Sequence, residues 1–311
     1  MSQNKTNATV VMRPRKKGSP FHPTVGDRIF DTVNTIILIA LCFITVYPMW
    51  FVLCASVSSS TVVLTHPGTL WYPQGFNLGA FELAFDHPLI MGGFLNILKI
   101  MAISLPINIV LTLFCGYFMA SKGMMFKKGI TALIMFTMFF SGGMIPAYLN
   151  VRSLGLYNTH WALILPGAMS VYNSVICKTA IEAVPSSLQE SAYIDGANDL
   201  TIVFRIILPL IMPTIAVLLL YYGVGHWNSW FAASIYLTDN TKLPIQNIIR
   251  AVLIANDTEF NSALADVDKI NDYAESIKYA AIVITTLPIL CIYPFLQKYF
   301  VKGVMIGAVK G

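Results

Sequence analysis

Charge is what this sequence has least of. Only 11% of its 311 residues are Asp, Glu, Lys or Arg, against about 25% in a soluble globular domain. That scarcity excludes a soluble enzyme, a disordered polyelectrolyte and a nucleic-acid binder. The net charge of +5 does not reverse this, because the loops between membrane spans can supply it alone. No Gly-Lys dipeptide occurs, so there is no Walker A loop to wrap phosphate in backbone N–H groups. Neither H-E-x-x-H nor G-x-S-x-G occurs, which leaves an enzymatic reading without a motif. Cysteine is sparse as well. Cys42, Cys54, Cys115, Cys177 and Cys291 fall in or at the ends of apolar runs, with no C-x-x-C pair. They read as small packing residues, not disulfides or metal ligands.

What the chain has instead is apolar length. Hydrophobic residues make up 56% of it, and the mean hydropathy is +0.67. A bilayer core about 30 Å thick takes about 20 helical residues. Six runs of that order stand at 35–57, 100–121, 129–151, 153–177, 206–222 and 279–297. They are continuous instead of alternating, so helices are expected and not a barrel. The first is too long for the core of a cleaved signal peptide.

Lys and Arg orient the runs. Fourteen of the 20 basic residues fall on alternate segments: the N-terminal tail, the loops after runs two and four, and the C-terminal tail. The opposite loops hold four basic residues and nine of the 15 acids. The expectation is an all-α integral membrane protein with six transmembrane helices and both termini cytoplasmic. It divides into a basic tail at 1–28, a membrane domain at 29–300 and a C-terminal tail at 301–311. The cluster Arg13, Arg15, Lys16 and Lys17 reads as a positive-inside anchor or as a contact for anionic lipid. Lys99, near the outer end of run two, either snorkels to the interface or binds an acidic sugar or a partner carboxylate.

One cytoplasmic loop, at about 182–205, carries a pattern. Pro185 suits a first helical turn, and Ser187 with Glu190 has capping-box spacing. Leu188, Ser191, Ala192 and Asp195 share a helical face. Gly196 is expected to stop that helix in the left-handed conformation, and Asn198 to cap the next. A short helix, a glycine turn and a second helix entering the membrane make a rigid knob.

Glu190-Ser191-Ala192, three residues, Gly196, nine residues, Ile206, one residue and Leu208-Pro209 resemble the EAA motif of ATP-binding-cassette importer permeases. Ser191 replaces the usual second Ala, keeping a small residue. The segments at 142–167 (GGMIPAYLNVRSLGLYNTHWALILPG), 221–231 (YYGVGHWNSWF) and 293–311 (YPFLQKYFVKGVMIGAVKG) are similar to the carbohydrate-importer branch. Within it they resemble the maltose-permease-like subunits that serve complex oligosaccharides and polysaccharide fragments. The resemblance implies a type I importer permease fold in the bacterial cytoplasmic membrane. It also implies a second, different permease chain, two ATPase subunits that carry ATP and Mg, and an extracellular solute-binding protein. No cofactor is expected on this chain. Leu188, Glu190, Ser191, Ala192, Tyr193, Asp195 and Gly196 would face the ATPase, with Asp199 at the edge of the contact. The segment at 300–311 reads as a docking tail or as a basic anchor.

A sugar path needs aromatic faces and groups that read hydroxyls. The candidates are Tyr148, Tyr172, Asn173, Tyr221, Tyr222, Trp227, Asn228 and Trp230. Asn173 serves equally as a helix–helix hydrogen bond, and Trp227 and Trp230 equally as an aromatic belt. The outer loop at about 225–277 holds an apolar helical pattern at 244–256. An acidic stretch follows, either a docking surface for the binding protein or a solvated loop. The rival reading is a self-sufficient secondary transporter or channel. It expects internal repeats or buried midplane charges, and neither is visible. A membrane enzyme lacks a paired catalytic constellation.

Overall fold

The computed structural model describes residues 25–86, 88–254 and 275–308. Among them every regular element is helical. Among these residues, those up to Trp50 fall in one compact unit and those from Phe51 onward in a second. The first unit holds most of α1 (Val25–Ser56), whose apolar residues are largely exposed until Cys54, Ala55 and Ser56 are buried at its end.

In the second unit the order is α2 (Ser60–Thr65), α3 (Gly79–Asp86), α4 (Pro88–Ala120), α5 (Lys127–Phe139) and α6 (Met144–Ser153). There follow α7 (Trp161–Ile164), α8 (Val171–Glu182), α9 (Ser186–Ile194) and α10 (Asp199–Leu210). The last are α11 (Met212–Trp227), α12 (Trp230–Tyr236), α13 (Ile245–Ile254) and α14 (Ser276–Ala308). The acidic stretch at 257–274, and the N-terminal cluster at 13–17, lie outside the described residues.

Helix α4 is the spine of this unit. It is apolar around most of its circumference, as a helix packed on many sides must be, with a buried polar row at Asn96, Ser104, Asn108 and Thr112. It packs against α8, α11 and α13 and supplies residues to three apolar clusters. Leu113 and Tyr117 join Ile181, Ile202, Ile207 and Leu218. Ile90 and Ile97 join Trp227, Ile245, Ile248 and Ile284. Ile100 joins Ile164, Tyr236 and Leu237. A helix this crowded needs close crossings. A Cβ on Gly93 would run into Ile248 Cδ1 and the Ile245 backbone, and one on Gly116 would lie 3.0 Å from Cys177 Cβ and 3.1 Å from Lys178 N.

Three of the six expected runs are not single helices, and two of the breaks have an evident local cause. At 129–151 the chain stops at Phe139 and restarts at Met144, bent by 113°. Gly143, with φ +93°, makes the turn. At 153–177 the chain forms only the short α7 before α8 begins at Val171. At 206–222 the helix breaks at Ile211 with an 86° bend between α10 and α11. Pro213 lacks the N–H that would bond the Pro209 carbonyl, and its ring crowds that carbonyl. Just before this bend, Ile202–Ile207 widens into a π-helix. Runs one, two and six are continuous in α1, α4 and α14, and all extend past the apolar windows. Helix α1 begins inside the expected tail, and α14 continues into the expected C-terminal one.

The close crossings give a stability test. Gly116→Val is expected to cost about 1–3 kcal/mol through overpacking and to lower Tm in detergent. Gly92→Ala, where a Cβ meets nothing within 4 Å, should leave Tm unchanged or raise it slightly. Equal Tm values for the two variants would contradict the packing described.

Candidate functional site

Two features bear on function: a cavity between the broken helices and the loop at 182–205.

The cavity measures about 570 Å³. It lies where the fourth run is interrupted, between the 165–170 turn, α8, α11 and α12. Four of the eight expected path residues line it: Tyr172, Asn173, Tyr221 and Tyr222. His226, Ser170, Ser229 and Tyr236 complete its polar wall, with no Asp, Glu, Lys or Arg. Asn173 is buried, and among the described residues its amide bonds no other helix.

The other four candidates lie elsewhere. Tyr148 stands behind the wall, its ring stacked on Tyr236 at 6.2 Å. Trp227 is buried beside Phe94 in the α4–α13 cluster, its indole N–H without a partner. Asn228 ends α11. Trp230 lies under the Arg250 guanidinium, 3.7 Å from its ring centre, a cation–π contact. Lys99 is exposed, on the face of α4 opposite Asn108 at 100° per residue.

The wall is held by α4. Asn108 is fully buried, and its Nδ2 donates to the carbonyls of Gly167 and Ala168 at 3.0 and 2.8 Å. With the amide so oriented, Oδ1 is the acceptor, and His226 Nε2 donates to it at 2.9 Å. The other imidazole nitrogen is then a free acceptor. Thr112 Oγ1 meets the Tyr222 hydroxyl at 2.7 Å, and that hydroxyl accepts from Ser170 N at 2.9 Å. Nearer the start of α4, Asn96 Nδ2 donates to the carbonyls of Thr241 and Leu243. Sequence reasoning missed these residues. The signal was polar residues at 96, 104, 108 and 112, every one a multiple of four apart along one helix.

The loop largely has the expected shape. Helix α9 ends at Ile194, Gly196 turns the chain with φ +80°, and Asn198 Oδ1 accepts from Thr201 N at 2.8 Å. Two details differ. Pro185 is the N-cap, one position before the first turn, and no capping box forms. The helix begins at Ser186, so Ser187 already lies inside it and has no cap to make. Ala192 is also not an outward contact. It is 7% exposed and seats α9 in the apolar cluster beside Ile202 and Ile207. Leu188, Glu190, Ser191, Tyr193 and Asp195 are exposed. The Tyr193 hydroxyl donates a hydrogen bond to Asp199, which holds the phenol above its ordinary pKa range. Glu190, Tyr193 and Asp199 border a second cavity of about 720 Å³, closed on its other side by Tyr117 and the 120–124 turn. Among the described residues no cluster of His, Cys, Asp or Glu is placed to hold a metal ion.

Broken apolar helices, an uncharged tyrosine-lined cavity and a glycine-turned surface helix define a polytopic transport subunit. Residues 22–306 match the family described as binding-protein-dependent transport system inner membrane component, and the chain belongs to that family. It is 37% identical over 289 residues to the polygalacturonan/rhamnogalacturonan transport system permease protein YtcP of Bacillus subtilis, covering 92% of this chain and 99% of that one. It is also 37% identical over 290 residues to protein LplC of the same organism, covering 93% and 98%. Among solved structures, it resembles a chain from the crystal structure of a bacterial ABC transporter involved in the import of the acidic polysaccharide alginate. The TM-score is 0.83 at 27% identity, over 91% of this chain and all of that one. The protein is therefore a multi-pass permease of the bacterial cytoplasmic membrane. The reading as a self-sufficient secondary transporter or channel gives way to that of an ATP-binding-cassette importer permease.

Asn108 supplies the test of the wall. Asn108→Leu leaves two carbonyls and the His226 N–H without partners, at about 1–3 kcal/mol for each buried group. Its Tm in detergent should fall well below that of Asn150→Leu, an exposed control. Matching Tm values would show that the amide does not hold the wall.

Proposed function

We propose that this chain forms one half of the translocation path of an ATP-driven importer for oligosaccharides derived from complex polysaccharides. The observation that carries the substrate class is the cavity. Four tyrosines, an amide, a histidine and serines surround it without a charged side chain. Tyrosine rings stack on the apolar faces of sugar rings, and the polar groups read hydroxyls. The named relatives serve polygalacturonan/rhamnogalacturonan and alginate, which agrees with glycan fragments as cargo. Tyr172, Asn173, Tyr221 and Tyr222 are the path residues. Tyr148, Trp227, Asn228 and Trp230 support the wall or the outer rim.

The chain crosses the membrane six times with both termini in the cytoplasm. The crossings are α1, α4, α5 with α6, α7 with α8, α10 with α11, and α14, and the alternation of Lys and Arg supports this count and orientation. The loop at 182–205 then faces the cytoplasm. Separate ATPase subunits, which hold ATP and Mg, grip its outward residues Leu188, Glu190, Ser191, Tyr193 and Asp195. Ala192 and Gly196 fix its shape. ATP-driven closure of those subunits moves the loop and opens the path alternately to either side. A second, different permease chain completes the path. A solute-binding protein delivers the sugar to the outer loop at 225–277; a bacterial alginate ABC transporter has been solved in complex with an alginate pentasaccharide-bound periplasmic protein.

Gly196→Pro and Glu190→Lys should each abolish uptake while the chain still inserts and the ATPases still hydrolyse ATP. Membrane fractionation, uptake by vesicles and phosphate release measure the three. Full uptake by both variants would remove the coupling role. Uptake driven by an ion gradient without ATP would remove the importer reading altogether. For the path, Tyr172→Ala and Tyr221→Ala should each raise the half-saturating sugar concentration about 3- to 10-fold, the worth of one stacked ring. Unchanged half-saturation in both would move the path away from this cavity.

A further inference from the structure

At the C-terminal end of α4, groups from three separate segments meet on one oxygen atom. The buried Tyr117 of α4 donates its hydroxyl to Asp199 Oδ1 at 2.9 Å. Tyr193 of α9 donates to the same oxygen, and the two phenol oxygens lie 3.2 Å apart. An ionised carboxylate only accepts, so both protons point at it, and a charged acceptor makes such bonds the stronger kind. Asp199 opens α10 immediately after the Asn198 cap. The oxygen thus ties the surface helix, the start of the bent helix and the end of the spine.

Little else attaches α9. Ala192 is its only buried residue, and one methyl group cannot fix a helix in rotation. The chain carries any displacement of α9 into α10 covalently. Among the described residues, the only polar contacts from α9 and Asp199 to α4 run through Tyr117.

Helix α4 also holds the cavity. Thr112 and Asn108 stand five and nine residues before Tyr117, about 7 and 13 Å along the axis at 1.5 Å per residue. They hold Tyr222, His226 and the turn at Gly167 and Ala168. One uninterrupted helix therefore carries both the tie to the loop and the ties to the wall.

We infer that Tyr117 is a positioning residue for transport: its bond to Asp199 transmits movement of the 182–205 loop through α4 to the cavity. This rests on the reading that ATPase subunits move that loop. Tyr117→Phe keeps the ring in its apolar cluster and deletes only the hydroxyl.

The test uses the assembled transporter with its ATPases, second permease and binding protein, trapped with ATP and vanadate. Spin labels introduced at Met169 and Val224, exposed positions beside the cavity, report its width. Trapping should change the label distance in the unaltered chain. In Tyr117→Phe the change should fall to less than about half, with Tm and vanadate-trapped nucleotide unchanged. Asp199→Asn, which retains an acceptor oxygen, should preserve more of the change than Asp199→Ala. In the Asp199→Ala background Tyr117→Phe should add no further loss, because the two act through one bond. A full distance change in Tyr117→Phe overturns the transmission role and leaves the coupling reading intact. So does an additive loss in the double variant. No change in the unaltered chain overturns the coupling reading itself, and the inference with it.

Discussion

Inside a bilayer, a backbone carbonyl or N–H that loses its helical partner has no water to turn to. The structure depends on how that need is met. Three of its apolar runs are broken, and at the break in the fourth run the freed backbone groups find partners beside them. Side chains of α4 take them up. Asn108 serves the carbonyls of Gly167 and Ala168. Nearer the start of α4, Asn96 serves two loop carbonyls outside the broken runs, those of Thr241 and Leu243. Thr112 holds the Tyr222 hydroxyl that accepts from Ser170 N. The irregular backbone needed for a cavity is tolerated because one regular helix beside it carries polar groups at the right heights.

That division of labour explains why α4 is both continuous and crowded. A helix that broke would need partners of its own. A helix with large side chains at Gly93 and Gly116 could not approach α13 and α8 closely enough for its amides to reach their targets. Close crossing and polar reach are one geometric condition. The cavity inherits its lack of charge from the same arrangement: its wall is fixed by amides, hydroxyls and one imidazole, so no ion pair is needed to hold it.

Much of this was legible in the sequence, but unevenly. Run lengths and the alternation of Lys and Arg gave the membrane class, because those signals are local and additive. The turn at Gly196 and the cap at Asn198 were readable because each depends on a few adjacent residues. The breaks at 140–143 and 165–170 were not. Hydropathy scores an apolar residue alike in a straight helix and in a turn whose carbonyls are satisfied from elsewhere. Half of the expected path residues also lie off the cavity. Trp227 and Tyr222 sit in the same helix with similar chemistry, and only the rotation of α11 separates the apolar cluster from the wall. Tyr117 carried no local mark at all. Its partner stands 82 positions along the chain.

Gly196 turns the chain with φ +80°, yet a Cβ placed there meets nothing within 4 Å. Glycines at close crossings, such as Gly93, are required for their size. Gly196 is required for its handedness: left-handed backbone strains any β-carbon-bearing residue of ordinary chirality. The turn is closed by main-chain bonds, from Gly196 N to the Tyr193 carbonyl and from Ala197 N to the Ala192 carbonyl. The direction in which the surface helix projects is therefore written in backbone torsions and backbone bonds, with no side chain at the turn itself to set it.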